Sequence, residues 1–453
     1  MRENRTRLIR TAVLILLTIL LACGEQPMPS EIAEPTPNRT PVYDDVPIED
    51  VVSKTEAAVD AETPAPTAAP TAEPTDAPTP EPTETPVPSP ATVTIGAVGD
   101  IMIPSQIVED AKVSGGEYDF STLFAPFAEL FGSVDLMCAN LETPLAGKEA
   151  GYSAKQSDGS HAFNAPDAVL DALKEAGMDV LTTANNHCLD KDGAGLYRTI
   201  ETIRNAGFYQ TGTYLSAEDR ENPLIVEING IRIGIVAGTR RPNTGKTKRK
   251  ITDEEARTVI SYLINDNRIT DAAARDIARV REAGAEFVIY FAHWDYESDN
   301  PTAEVTKSLA KQLFTAGADC IIGSHPHRIK SAEYVTVQRE DGPYTGLVLY
   351  SLGNFSANVR FELMVGLFAE ITLTKDYATG KVTLTDAGVL PTITIARAGK
   401  GQRFTVVPVY ADASKITGLR SPLTDAELKT LGRAREHAFK RLGSVEGLRV
   451  LDE

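Results

Sequence analysis

The sequence predicts an α/β fold built on mixed sheet, and three observations carry that expectation. Beyond Pro90, short apolar runs alternate with amphipathic helical stretches, the pattern of strand and crossover helix. An Asn229-Gly230 pair joins VEI to IRIGIV as a hairpin turn, and the strands that follow have few helices between them, so antiparallel pairs must accompany the parallel ones. Polar, ligand-type side chains stand where several apolar runs end, which is where open α/β sheets place their sites.

The length of 453 residues fits one large domain or two ordinary ones with appendages. With 45 basic against 63 acidic side chains the net charge is -18, which leaves no general basic field for nucleic acid. Four cysteines in such a chain cannot make a disulfide scaffold. Residues 1–22 read as an export leader: MRENRTRLIR is basic, and the apolar run TAVLILLTILLA is too short to cross ~30 Å of hydrocarbon comfortably. The run ends Leu20-Leu21-Ala22-Cys23-Gly24, and a small residue directly before a cysteine resembles the bacterial lipoprotein signal. That resemblance implies lipidation at Cys23 and a domain held outside the cytoplasm, on the bacterial membrane. An uncleaved anchor or an ordinary signal is the alternative.

Residues 23–90 read as a stalk, because Gly24 to Pro90 holds 16 of the 28 prolines and fourteen carboxylates lie in the segment. So many fixed φ angles and so few apolar side chains cannot form a core, and they favour extended polyproline geometry. At ~3.1 Å per residue such a stalk reaches on the order of 100 Å or more.

The domain proper is expected at 91–410. Strands are predicted at 93–98, 134–139, 180–183, 231–237, 287–292 and 320–322, and again near 333–338, 347–351, 365–373 and 381–389. Helices with apolar positions at 3.6-residue spacing fall at 166–176, 195–205, 271–282 and 302–315. Residues 411–453 form a helical extension, with the helix at about 425–442.

The chemistry sits at strand ends. Asp100 follows VTIGAVG, Asn140 and Glu142 follow VDLMCA, and Asn185, Asn186 and His187 follow VLTTA. His293 follows FVIYFA, and His325 and His327 follow CIIGS, so four of six histidines lie in this set. Imidazole, carboxylate and amide oxygen together suit a borderline divalent ion such as zinc, manganese or iron. Pro326 stiffens the turn between two imidazoles, which can serve one ion or two adjacent ones. An open site of this kind would polarise a phosphoryl or carbonyl oxygen.

AVGDIMIP, ANLETPL, TTANNHCLD, AHWDYE, IGSHPH and LYSLGNF, in that order over about residues 92–360, resemble the CapA or poly-γ-glutamate capsule-synthesis family, itself related to calcineurin-like metallophosphatases. The resemblance implies a four-layer α-β-β-α sandwich of two mixed sheets between helices. It implies that Asp100 binds a first ion with His327, and that Asn186, His293 and His325 bind a second. His187 resembles the histidine that protonates the leaving group. Met102 stands where metallophosphatases carry a histidine, and Asn140 where they carry a bridging aspartate. Glu142, two residues on, is the carboxylate that would complete the site. Asp295 follows Trp294 where the capsule family usually has glycine.

Two functions are open at this stage: a surface hydrolase acting on a phosphoester or a γ-glutamyl amide, or a non-catalytic component that guides an anionic polymer within a capsule-synthesis complex. The run Arg240 to Lys250 packs six basic residues into eleven, and Lys246, Lys248, Arg249 and Lys250 are its candidate dock for such a polymer, against the alternative of a solvated loop. Trp294 either lines the pocket or packs, and Asn354 reads as a turn or supporting residue. Cys138, Cys188 and Cys320 read as buried thiols.

Overall fold

The apolar runs become strands buried on both faces in the computed structural model, which describes residues 90–155, 161–243, 251–399 and 401–452. The leader, Cys23, the stalk up to residue 89 and the basic residues Lys246, Lys248, Arg249 and Lys250 lie outside the described residues. Among the described residues, fifteen strands make two large sheets. They are β1 (Ala91–Ile101), β2 (Leu136–Leu141), β3 (Val180–Thr182), β4 (Tyr209–Thr211), β5 (Ile225–Ile228), β6 (Ile231–Thr239), β7 (Phe287–His293) and β8 (Cys320–Ser324). The remainder are β9 (Ala332–Arg339), β10 (Gly342–Leu349), β11 (Asn354–Ser356), β12 (Val365–Asp376), β13 (Lys381–Ala396), β14 (Phe404–Pro408) and β15 (Arg449–Val450).

The first sheet runs β14-β13-β12-β1-β2-β3-β4, with β11 beside β1 and β15 beside β13. Its β1-β2-β3-β4 half is parallel and its β1-β12-β13-β14 half antiparallel. The second sheet runs β9-β10-β8-β7-β6-β5, parallel at its centre and closed at each edge by an antiparallel pair. The β5-β6 hairpin turns through Asn229 and Gly230, both at positive φ, the backbone a two-residue turn of this kind requires.

Alternation along each strand divides the core into three sheets of contact. On β2, Leu136 and Cys138 face the inter-sheet core while Met137 and Ala139 face the other way. On β7, Phe287, Ile289 and Phe291 face inward, and Val288, Tyr290 and Ala292 outward. The outer face of the first sheet is covered by phenylalanines 124, 127 and 131 and by the helix α1 (Ala168–Glu175), through Val169 and Leu173. The outer face of the second is covered by α3 (Asp271–Glu282) and α4 (Glu304–Thr315), through Ile277, Val280, Leu309 and Leu313. Between α1 and α3 in sequence, α2 (Asp192–Asn205) follows the loop that carries His187. The architecture is therefore a four-layer α-β-β-α sandwich, as the motif resemblance implied. Strands buried on both faces have no polar side to alternate with, which is why they read as continuous apolar runs.

The C-terminal helix α5 (Asp425–Leu442) packs Leu431, Ala434, Ala438 and Leu442 into the same inter-sheet core, and β15 then adds to the first sheet beside β13. The segment read from sequence as an extension is thus part of the sandwich core.

Candidate metal centre

Parallel strands align their carboxyl ends, so β1, β2 and β3 of one sheet and β7 and β8 of the other deliver their last side chains to one place. Asp100 lies next to the end of β1, held there because Gly99 lets the strand approach the turn at Gly353. A Cβ at position 99 would stand 1.9 Å from the Gly353 carbonyl oxygen. The Asp100 N–H donates to that same carbonyl at 3.0 Å.

Glu142 is the hub. Its side chain is fully buried, and neither carboxylate oxygen has a hydrogen-bond partner. Its Oε1 is 3.5 Å from His293 Nε2, 3.7 Å from His327 Nε2 and 4.0 Å from His187 Nε2. Two sets of side chains are near enough to hold an ion, one of Asp100, Glu142 and His293 and one of Glu142, His325 and His327. Glu142 belongs to both. Asp100 also reaches His327, Oδ2 to Nδ1 at 3.5 Å, the two residues that the resemblance puts on one ion, while the two sets share Glu142.

Asn140 is held by hydrogen bonds to its neighbours. Its Nδ2 donates to Asp100 Oδ1 at 2.7 Å and its Oδ1 accepts from Asn185 Nδ2 at 3.2 Å. Its Nδ2 braces Asp100 while its Oδ1 is held by Asn185, so Asn140 positions its neighbours here, and the carboxylate that faces the histidines comes from Glu142. Asn186 does point inward, with Oδ1 2.8 Å from His293 Nε2. His293 Nδ1 sits 2.9 Å from the Ser324 hydroxyl, and His327 Nδ1 2.9 Å from Asn354 Oδ1. Fixing one ring nitrogen orients the other, which is the usual way a ligand imidazole is aimed.

The electrostatics are those of a cation site. Burial works to raise the Asp100 carboxyl, but the contact with His327 and the fields of His293 and His327 hold it far below the usual carboxylate range. Burial, together with the charge of Asp100, pushes the Glu142 carboxyl well above its ordinary value. Burial and the field of His325 hold His293 well down, and burial with the field of His327 brings His325 down to about 4. Burial also opposes charge on His327, yet its Asp100 contact raises it. His293 and His325, held toward their neutral forms beside a carboxyl without hydrogen bonds, fit a positive ion, which would satisfy Glu142 and the unbonded Nδ1 of His325 together.

His325 and His327 have φ of 92° and 56°, backbone that favours glycine. The strained turn is held in part by the His325 N–H, which donates to Asp100 Oδ2 at 3.1 Å. Such strain gathers at functional sites.

Beside the ligands, His187 Nδ1 is 2.7 Å from Asp190 Oδ2, which also accepts from the Phe163 N–H at 2.8 Å. Asp190 thereby aims His187 Nε2 at the hub. Sequence reasoning had no role for Asp190 or Ser324. The three-residue spacing from His187 to Asp190 on one turn was the signal for the first, and nothing short of the strand register marks the second. Trp294 is packing, its ring buried in the outer core of the second sheet and its Nε1 donating to the Tyr350 carbonyl at 3.0 Å. Asp295 is buried and in neither ligand set. Cys138 and Cys320 are buried thiols of the inter-sheet core, and Cys188 is buried with Leu189 and Leu196.

A four-layer sandwich that gathers buried carboxylates and imidazoles at the carboxyl ends of both its sheets is an α/β framework with side-chain groups that could hold a metal ion. Residues 94–359 match the family described as bacterial capsule synthesis protein PGA_cap, and the chain belongs to that family. It is 29% identical over 266 residues to the capsule biosynthesis protein CapA of Bacillus anthracis, covering 58% of this chain and 59% of that protein. It is 27% identical over 262 residues to the PGA biosynthesis protein CapA of Bacillus subtilis (strain 168), covering 57% and 61%. The chain therefore spans about three-fifths of the length of these relatives. A phosphatase crystal structure from Mycoplasma pneumoniae shows 12% identity and a TM-score of 0.37 over 66% of this chain and 93% of that one, too remote to bear on the chemistry.

Proposed function

We propose that the protein is a metal-dependent hydrolase of the bacterial cell surface that acts on a capsule polymer, with poly-γ-glutamate as the expected substrate. The observation that carries this reading is Glu142, a buried carboxylate without a hydrogen bond and ringed by three imidazole nitrogens. One or two divalent ions, manganese, zinc or iron, would supply Lewis acidity at the reacting amide or phosphoester. Asp100, Glu142, Asn186, His293, His325 and His327 would hold them. His187 would give its Nε2 proton to the leaving atom, with Asp190 orienting the ring. The basic residues Lys246, Lys248, Arg249 and Lys250, a lipid on Cys23 and partners in a capsule-synthesis complex belong to the same proposal; the kinship to CapA proteins and the leader sequence support them.

A second reading, a polymer-guiding protein without turnover, draws support from Met102 and Asn140, which put a thioether and an engaged amide where metallophosphatases carry ligands. The experiment measures bound metal and hydrolysis of γ-glutamyl amides and of activated and unactivated phosphoesters. Wild type, a His293→Ala, His325→Ala double variant and His187→Ala are compared. The hydrolase reading expects the double variant to lose metal. It expects His187→Ala to keep metal and lose turnover ~10² to 10⁴-fold, least on activated esters, which need no proton. A metal-loaded wild type inert on every substrate favours the guiding role.

A further inference from the structure

The rim of the centre carries a cation that the ligand chemistry does not use. The register of the second sheet sets Thr239 opposite His293, so the segment after β6 emerges beside the end of β7. The Arg240 N–H donates to the His293 carbonyl at 3.0 Å, and the Asn243 N–H donates to the Asn186 carbonyl at 2.6 Å. Residues 240–243 are thus tied by their backbone to two residues of the ligand cluster. The Arg240 guanidinium lies over the Tyr296 ring, 4.7 Å from its centroid, with Nη2 3.4 Å from the phenolic oxygen. No carboxylate pairs with Arg240 among the described residues, and Tyr296 is 45% exposed. Nη2 is engaged by the phenolic oxygen, and a guanidinium held over a ring keeps its other N–H groups in a restricted orientation, which suits charge-assisted binding of a carboxylate.

The geometry points to Arg240, stacked on Tyr296, as a carboxylate-binding subsite at the rim of the metal centre, selecting a chain that bears a free carboxylate in each repeat. The inference rests on the proposed function for the identity of that chain. Glu297, one residue beyond Tyr296 and exposed, puts a negative charge on the same segment. A polyanion entering the centre meets its repulsion, and Arg240 supplies the attraction that offsets it.

The test is equilibrium binding of a γ-linked glutamate decamer to the metal-loaded full chain at low salt, with melting temperature and metal content measured for every variant. Arg240→Gln should weaken binding about tenfold, the loss of one charge-assisted pair. Arg240→Lys should fall between, since it keeps the charge without the planar fork. Tyr296→Ala should weaken binding, and Glu297→Gln should tighten it. Wild-type affinity in Arg240→Gln overturns the subsite. So does an equal loss for the decamer with its carboxylates amidated, or the same Arg240 dependence for inorganic polyphosphate. A protein that binds the decamer through Arg240 but cleaves no polymer ends the hydrolase reading and leaves the subsite standing. Polymer cleavage and binding that ignore Arg240 do the reverse.

Discussion

At the scale of single residues, the site is organised by what it leaves unsatisfied. Glu142 has no hydrogen bond, and His325 combines an unbonded Nδ1 with a φ of 92°. A side chain in that region of backbone costs on the order of 1 kcal/mol that glycine escapes. His325→Gly and His325→Ala remove the same imidazole, but only the first relieves the backbone. In metal-free protein the glycine variant should be the more stable by about 1 kcal/mol, the reverse of the usual order, and urea unfolding of the pair checks this. An alanine variant equal or superior in stability would show that the turn is not strained. The candidate residues gathered around Glu142 were legible in the sequence because each follows an apolar run. Sequence position cannot tell an amide that faces an ion from one that braces a neighbouring carboxylate, as Asn140 Nδ2 does for Asp100. Asp190 was missed because its role depends on where the His187 ring turns.

At the scale of elements, legibility followed length and periodicity. Residues 271–282 and 425–442 were predicted as helices with the bounds that α3 and α5 show. By contrast β4 and β11, three residues each, and the short helices Ser105–Asp110 and Ser121–Phe124 went unseen, since so few residues carry no period. Such short pieces are held by tertiary bonds. Arg204 on α2 makes two hydrogen bonds to Asp219, both at 2.9 Å, and Asp219 also accepts from the Leu215 N–H at 2.8 Å, fixing the loop after β4. Burial works to raise the Asp219 carboxyl, but the Arg204 bonds hold it below its ordinary value. A carboxyl depressed in the folded state contributes stability above its unfolded value, near ~3.9, and loses it as pH falls through the folded one. Asp219→Asn should therefore cost on the order of 1 kcal/mol at pH 7, and the gap to wild type should close on acidification below about pH 4. Denaturant unfolding across that range measures it, and a gap independent of pH would refute the assignment.

At the scale of the molecule, the sandwich is complete only with its last segment. Leu431 and Leu442 of α5 are buried in the inter-sheet core, and truncating a buried leucine costs about 2–5 kcal/mol. A chain ending at residue 410 should lose on the order of 5 kcal/mol or more, seen as loss of soluble protein or of slow amide exchange in β12 and β13. Retention of wild-type stability would show the helix to be dispensable. Mass spectrometry of the membrane fraction should find a lipid on Cys23 at the mature N-terminus; an unmodified Cys23 would remove the lipid anchor from the proposal. The junction at Ala91 has a mechanical consequence. Whatever precedes Ala91 is joined to the sandwich through β1, which is flanked on one side by antiparallel β12 and on the other by parallel β2. A pull on the N-terminal side therefore runs along an interior strand and loads its backbone hydrogen bonds in shear, many at once, instead of peeling them singly from an edge. The far end of that strand bears Asp100. Tension reaching the sandwich would be resisted by the strand that positions a candidate metal ligand, so a bound ion should raise the force needed to draw β1 out.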